Sequence, residues 1–284
     1  MYNCVVLKGV IFVYFFKMRH FQALAILTVA LMFCAAPILY ASPNATKLQE
    51  LSGELLHYDI KWSGMSAGEA TMKVSAEGKN YRFSTTAKTG SKVSWLYPLN
   101  IRYESVVDGN NFTAVSYLKT GREGYGDPHE RLVVFDHDEG VTRYIKDGKL
   151  RKTLEVSGDA YDPISVIYAI RVMTLPEVGG VIPIEVSDGK KLASGTVTVA
   201  GKERVKVPAG EFDAVRVTPK MEGVKGLFGD GSSMSVWLAD DDERRILKIE
   251  SSVAVGSFVA VLKEIIRPTP RPRDLQSANG DEAE

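Results

Sequence analysis

Cysteine is nearly missing from this chain of 284 residues: Cys4 and Cys34 are its two, and both fall within the first 40 positions. Past residue 41 there is none, so a disulfide framework, thiol catalysis, CxxC redox work and cysteine-ligated zinc are excluded from that part. Histidine is scarce, with His57, His129 and His137 as the whole supply after the N-terminal region, and no G-x-S-x-G elbow offers a serine nucleophile. An excess of one charge is lacking too, because Lys+Arg 35 balances Asp+Glu 35. That balance excludes a generally basic nucleic-acid binder and an acidic disordered chain. What is there, 45% hydrophobic and 25% charged residues, is ordinary globular usage.

Two apolar runs open the chain, Val5 to Phe16 (broken by Lys8) and Phe21 to Tyr40, separated by the basic cluster Lys17-Met18-Arg19-His20. Read from Met18, a short positive region, a long apolar region and the small Ala41 reproduce the layout of a secretory signal peptide. Residues 1–41 are therefore expected to be a signal peptide, with Met18 as the natural start, and the mature protein to be periplasmic. Lipidation at Cys34 is disfavoured by the bulky Phe33 before it. Retention as a membrane anchor is the alternative, since about 20 apolar residues span a bilayer. Removing residues 1–41 takes away Lys8, Lys17 and Arg19 and no acids, leaving 32 basic and 35 acidic residues, a net charge of −3 over 243 residues.

From Glu54 onward the hydrophobic period is two. Leu56, Tyr58, Ile60 and Trp62 alternate with polar residues, as do Ala70, Met72, Val74 and Ala76, then Tyr81 and Phe83, then Ile101 and Tyr103. Such alternation means antiparallel strands with one face buried and one wet. Turn chemistry separates the runs, at Glu77-Gly78-Lys79-Asn80, Asp108-Gly109-Asn110-Asn111, Asp138-Glu139-Gly140, Asp147-Gly148 and Asp188-Gly189. The chain is predicted to be mostly β, an antiparallel curved sheet or barrel/half-barrel of about 12–15 strands. One segment breaks the period. Asp162-Pro163 offers an N-cap with proline in the first helical position, and the nearly all-apolar run after it predicts one buried helix near 162–174, laid across the concave face or plugging a barrel. A single β domain over 50–266 and a Pro-rich, polar disordered tail over 267–284 complete the expected organisation.

Four segments taken together carry a resemblance. They are Tyr58, Ile60, Trp62 and Gly64 followed by Ala67-Gly68-Glu69-Ala70; Asp162-Pro163-Ile164-Ser165 with Tyr168 and Arg171; Val205 and Val207-Pro208-Ala209-Gly210 with Phe212 and Ala214; and Trp237-Leu238-Ala239-Asp240-Asp241 with Arg244. In this order, over roughly residues 52 to 266, the chain resembles a family of exported bacterial proteins known as domain-of-unknown-function family 3108. The resemblance implies a mostly β, envelope-localised protein and brings no catalytic residues with it. Each segment also has a structural reading: Gly64 and Gly68 shape the first hairpin, Pro208-Ala209-Gly210 makes a tight turn, and Asp240 to Glu243 caps another.

The remaining chemistry is thin. Asp136-His137-Asp138 cannot converge on a metal from one strand, because neighbouring side chains point to opposite faces. The glycines at 223, 226, 229 and 231 are followed by a strand-like run rather than the helix a phosphate loop needs. Neither cofactor, metal nor nucleic acid is expected. Aromatic residues dominate the inner register and its loops, and the candidate ligand-binding residues are Tyr58, Trp62, Trp95, Tyr97, Tyr103, Tyr168 and Phe228. They fit a non-catalytic protein that binds an apolar envelope component or supports envelope assembly. A scaffold docking a protein partner through strand edges or the Leu227-Phe228 loop is the alternative. A hydrolase of envelope glycan or lipid, resting on Asp240 to Glu243 or His129, comes third.

Overall fold

The two-residue period becomes strands almost everywhere it occurs. The structure, a computed structural model, describes residues 43–44, 46–222, 233–253 and 256–266; the expected signal peptide, the expected tail and the Leu227-Phe228 loop lie outside the described residues. After the short helix α1 (Thr46–Leu51) come β1 (Leu55–Trp62), β2 (Met65–Glu77), β3 (Asn80–Thr89), β4 (Leu99–Asp108), β5 (Ala114–Glu123), β6 (His129–Asp136), β7 (Val141–Lys146) and β8 (Lys149–Glu155). Helix α2 (Ser165–Val172) leads to β9 (Val181–Ser187), β10 (Leu192–Val207), β11 (Gly210–Met221), β12 (Ser233–Ala239), β13 (Ile246–Val253) and β14 (Gly256–Ile266).

All fourteen strands of the described residues join one antiparallel sheet in the order β8-β7-β6-β5-β4-β3-β2-β1-β14-β13-β12-β11-β10-β9. The predicted curved, mostly β sheet with one buried helix is what forms. The sheet does not close through a β8–β9 ladder. Its two margins meet by other means. The backbone of Tyr161 bridges β9, accepting from Ser187 N–H and donating to the Glu185 carbonyl, each at 2.8 Å. Ser157 Oγ donates to Glu185 at 2.7 Å, and Lys152 Nζ donates to the Lys190 carbonyl at 2.8 Å. Pro183, which has no N–H to give, falls on edge strand β9, where that loss is tolerated. The hairpin chemistry reads out directly at Asp147-Gly148, whose φ values of 50° and 74° are those of a two-residue turn matched to strand twist.

Strand direction sorts the connections into two ends. At the helix end lie the β2–β3, β4–β5, β6–β7, β10–β11 and β12–β13 turns together with α1 and α2. At the loop end lie the β1–β2, β3–β4, β5–β6, β7–β8 and β9–β10 connections.

Helix α2 begins at Ser165 with Ile164 in the cap position, two residues beyond the Asp162-Pro163 start that the sequence predicts, and Asp162 organises the turn leading into it. The Asp162 carbonyl accepts the first helical bond from Val166 N–H at 3.2 Å, while its carboxylate accepts from Ile164 and Ser165 N–H at 2.8 and 3.0 Å. Ser165 Oγ accepts from Asp162 N–H at 2.9 Å, completing a reciprocal box that leaves the first turn with few orphan donors. Ser105 Oγ of β4 donates to the other carboxylate oxygen at 2.6 Å, which pins the cap to the sheet. The helix then lays Tyr168, Ala169 and Val172 into the core, with the Tyr168 ring stacked on Phe83 of β3 at 3.9 Å between centroids and 8° between planes. Leu56, Val74, Phe83, Val107, Phe112 and Leu262 close around it, all at most 2% exposed. The concave face at the helix end is thus filled by side chains.

Candidate functional site

The helix end holds a buried charge network. Arg171, fully buried on α2, pairs with Glu54 at 2.7 Å and donates to the carbonyls of Glu243 and Arg244 at 3.1 Å each. Arg245 pairs with Glu54 at 3.2 Å and also with Glu243, and Arg244 donates to the Met173 carbonyl. The acidic run weighed as a catalytic candidate is occupied in holding this turn. Asp241 accepts from Glu243 and Arg244 N–H at 3.1 and 2.8 Å, and Asp240 pairs with Lys202 at 2.8 Å. Through these contacts Arg171, Asp241 and Arg244 lock α2 to the β12–β13 turn, which is a structural role.

The loop end is different. Ladder register places Thr85, Tyr103, Lys119, Arg131 and Lys146 in one cross-strand row over β3 to β7. Alternation puts this row on the same, concave face as buried Phe83, Tyr117, Val133 and Tyr144, two positions away on their strands. Three cations therefore lie side by side on the inner surface. Lys119 pairs with Glu123 at 2.8 Å and stands 5.4 Å from the Tyr103 ring centre. Among the described residues, Lys146 pairs with its neighbour Asp147 alone, at 4.0 Å. Arg131 is half-buried, its Nε is shielded from solvent without a hydrogen-bond partner, and it forms no ion pair with the described residues. His129 Nε2 nearby is buried and unpartnered in the same way.

Several cations of the convex face are paired with carboxylates. There Arg82 binds Glu77 and Glu104, Arg143 binds Asp136, Lys88 binds Glu69 and Lys263 binds Asp59. The Lys119 hydrogen bond, then burial acting the other way, then the charges of Lys119, Arg131 and His129 set Glu123 below the usual carboxylate range. Burial, reinforced by Glu123, pushes the Tyr103 hydroxyl up to about 12, and burial raises Tyr97 as well.

Aromatic side chains gather at the loop end. Tyr103 stacks with Tyr117 at 6.3 Å, and Trp95, Tyr97 and Tyr125 project from the adjoining loops with 72%, 50% and 75% exposure. Tyr125 donates to the Trp95 carbonyl, and Tyr97 lies beside Gly124, so the β3–β4 and β5–β6 connections brace one another. Among the described residues, every exposed large apolar side chain except Val178, Val181 and Ile266 lies at this end. Behind the same loop, on the convex side, Lys88, Ser94, Pro98, Asn100 and Arg122 border a shallow pocket of about 290 Å³.

The seven predicted ligand residues thus separate. Tyr97 and Tyr103 come together at the loop end with Trp95 beside them. Trp62 stacks on Phe258 at 6.3 Å, also at the loop end but on β1 and β14, across the sheet from the basic row. Tyr58 and Tyr168 are core residues near the helix end, Tyr58 donating its hydroxyl to the Ile246 carbonyl at 2.9 Å. Phe228 lies outside the described residues. Among the described residues no three His, Asp or Glu side chains gather as metal ligands. His137 bonds the Ala114 carbonyl at 2.6 Å and Asp136 is held by Arg143. Sequence reading missed Lys119, Arg131 and Lys146, although a signal existed: each falls two positions from Tyr117, Val133 or Tyr144, on the parity that should be apolar.

Comparison with solved structures shows the fold. The chain is similar to a β-barrel-like protein of domain of unknown function DUF1849 from Brucella abortus, at 12% identity and TM-score 0.53, covering 77% of this chain and 99% of that one. Matches to a protein with a YmcC-like fold from Bacteroides fragilis (11% identity, TM-score 0.34, 80% and 99% coverage) and to a hypothetical protein from Chlamydia trachomatis (4%, 0.35, 82% and 96%) are too loose to carry an argument. Comparison with curated proteins gives no match. The family described as "Protein of unknown function (DUF3108)" matches residues 57–263, nearly the whole β sheet, and this chain belongs to that family.

Proposed function

We propose that this is an exported, non-catalytic β protein of the cell envelope that binds an apolar component of that envelope at the loop end of its sheet. Export rests on the N-terminal basic cluster and apolar run. Binding rests on one observation: the exposed aromatic side chains concentrate at the loop end, beside the half-buried Tyr103 on the concave surface. Trp and Tyr suit an amphiphilic partner because each joins an apolar ring to a polar tip. Tyr58 and Tyr168 support the sheet in this reading and do not meet the ligand.

The test is to extract the protein in mild detergent from its native envelope and identify bound molecules by mass spectrometry. An acyl-bearing amphiphile is expected with the natural protein and depleted in the Trp95→Ala, Tyr97→Ala, Tyr103→Ala variant. Extraction of no such molecule from the natural protein overturns the proposal. A scaffold that docks a protein strand is the second reading, favoured by β8, an edge strand along which every residue except Leu154 is exposed. Crosslinking in cells separates the two, since the scaffold requires a discrete protein adduct at β8.

A further inference from the structure

We infer that the inner row Lys119–Arg131–Lys146 is a binding site for the anionic head group, a phosphate-type anion, of the amphiphile that the loop end receives. The inference rests on the proposed function for the ligand's apolar part, and on the charge arrangement for its polar part. Like charges directly opposite one another on neighbouring strands repel and weaken a sheet. Here Arg131 faces Lys119 on one side and Lys146 on the other, with Glu123 already engaged by Lys119 and Asp147 only within 4.0 Å of Lys146. The convex-face cations just described are matched with carboxylates. An arrangement that costs stability in the empty protein is explained if an anion completes it.

The donors suit that anion. Arg131 presents a planar fork that can grip two phosphate oxygens, and its shielded Nε has no other acceptor. Lys119 and Lys146 flank it as compact charges whose side chains are 14% and 42% exposed. Tyr103 and Tyr117 stand alongside as a ring surface for the first carbons beyond the head group. The exposed rings of Trp95 and Tyr97 then meet the apolar chain as it leaves the concave face. Phosphate on an acyl lipid and free phosphate share the head-group chemistry, so the test distinguishes them.

Titration calorimetry of the mature protein compares three probes below their micelle concentrations: dihexanoyl-phosphatidylglycerol, dihexanoyl-phosphatidylcholine and inorganic phosphate. The phosphatidylglycerol probe is expected to bind about tenfold or more tightly than the phosphatidylcholine probe, with inorganic phosphate weaker than either. Arg131→Gln should abolish the preference between the two lipids. The same variant should melt no lower than the natural protein when ligand-free, because it relieves repulsion from Lys119 and Lys146. Equal binding of both lipids, or a preference that survives Arg131→Gln, overturns the inference and leaves the proposed function standing. Inorganic phosphate binding as tightly as the phosphatidylglycerol probe has the reverse effect: the anion site stands, and the apolar ligand falls. A fall in the melting temperature of ligand-free Arg131→Gln shows that Arg131 holds the sheet together, and also overturns the inference.

Discussion

Arg171 and Glu54, 117 residues apart in the chain, form a buried ion pair of 2.7 Å that ties helix α2 to the segment entering β1. Arg245 shares the same carboxylate from the β12–β13 turn, so Glu54 is the point where three distant parts of the chain meet. Removing Glu54 leaves Arg171 buried without a counter-charge, while Arg245 keeps Glu243. Glu54→Ala should therefore destabilise the protein by about 3–5 kcal/mol in urea unfolding. The loss should change little with added salt, because the pair is shielded from solvent ions.

Two buried tyrosines should respond with opposite sign when their hydroxyls are removed. Tyr58 donates to the Ile246 carbonyl at 2.9 Å, so Tyr58→Phe should cost about 1 kcal/mol. The Tyr168 hydroxyl is buried without a partner among the described residues, so Tyr168→Phe should be neutral or stabilising by up to about 1 kcal/mol. Tyr168→Ala, which empties the stack on Phe83, should cost about 3–5 kcal/mol. Denaturant midpoints of the three variants check the set.

Asp162 is wholly buried, and burial raises its pKa above the ordinary 3.8 despite the hydrogen bonds from Ser105, Ser165 and Ile164 that work to lower it. The folded state thus holds the proton more tightly than the unfolded chain. The resulting stability is complete below the unfolded value and is lost as pH rises through the folded one. Asp162→Asn keeps an oxygen for the helix cap and an amide to bond Ser105, with no charge to bury. Relative to this variant, the natural protein should lose stability as pH rises above the ordinary carboxylate value and through the raised folded one, measured by urea unfolding at each pH. An unchanged difference would show that Asp162 does not titrate there.

Gly68 on β2 faces the backbone of β3, and a Cβ built on it would come within 2.2 Å of the Lys88 carbonyl oxygen. Backbone cannot step aside as a side chain can. Gly68→Ala should therefore cost about 1–3 kcal/mol or shift the β2–β3 register, seen as a lowered melting temperature with loss of amide protection in those strands. A Cβ at Gly64 would meet no atom within 4 Å, but its φ of +85° in the β1–β2 turn makes Gly64→Ala unfavourable for a conformational reason.

Local sequence determines much of this protein. Alternation of period two at Leu56-Tyr58 and Met72-Val74 requires strands, because each pleat sends neighbouring side chains to opposite faces. Asp147-Gly148 demands a tight hairpin, since both positions take positive φ. Asp162-Pro163 marks a helix start because a carboxylate and a missing N–H are what a first turn accommodates. All three are local effects, decided within a few bonds of the residues concerned.

Only the tertiary structure decided which residues meet. Lys119, Arg131 and Lys146 read as unrelated polar positions until ladder register across β5, β6 and β7 makes them neighbours. Tyr168 and Tyr97 look alike as aromatic candidates, yet one is fully buried against Phe83 and the other half exposed on a loop. Glu54 gains two arginines from far along the chain. The physical reason is the same each time: local sequence sets the backbone and the face, whereas proximity between strands follows from how the whole sheet pairs and curls.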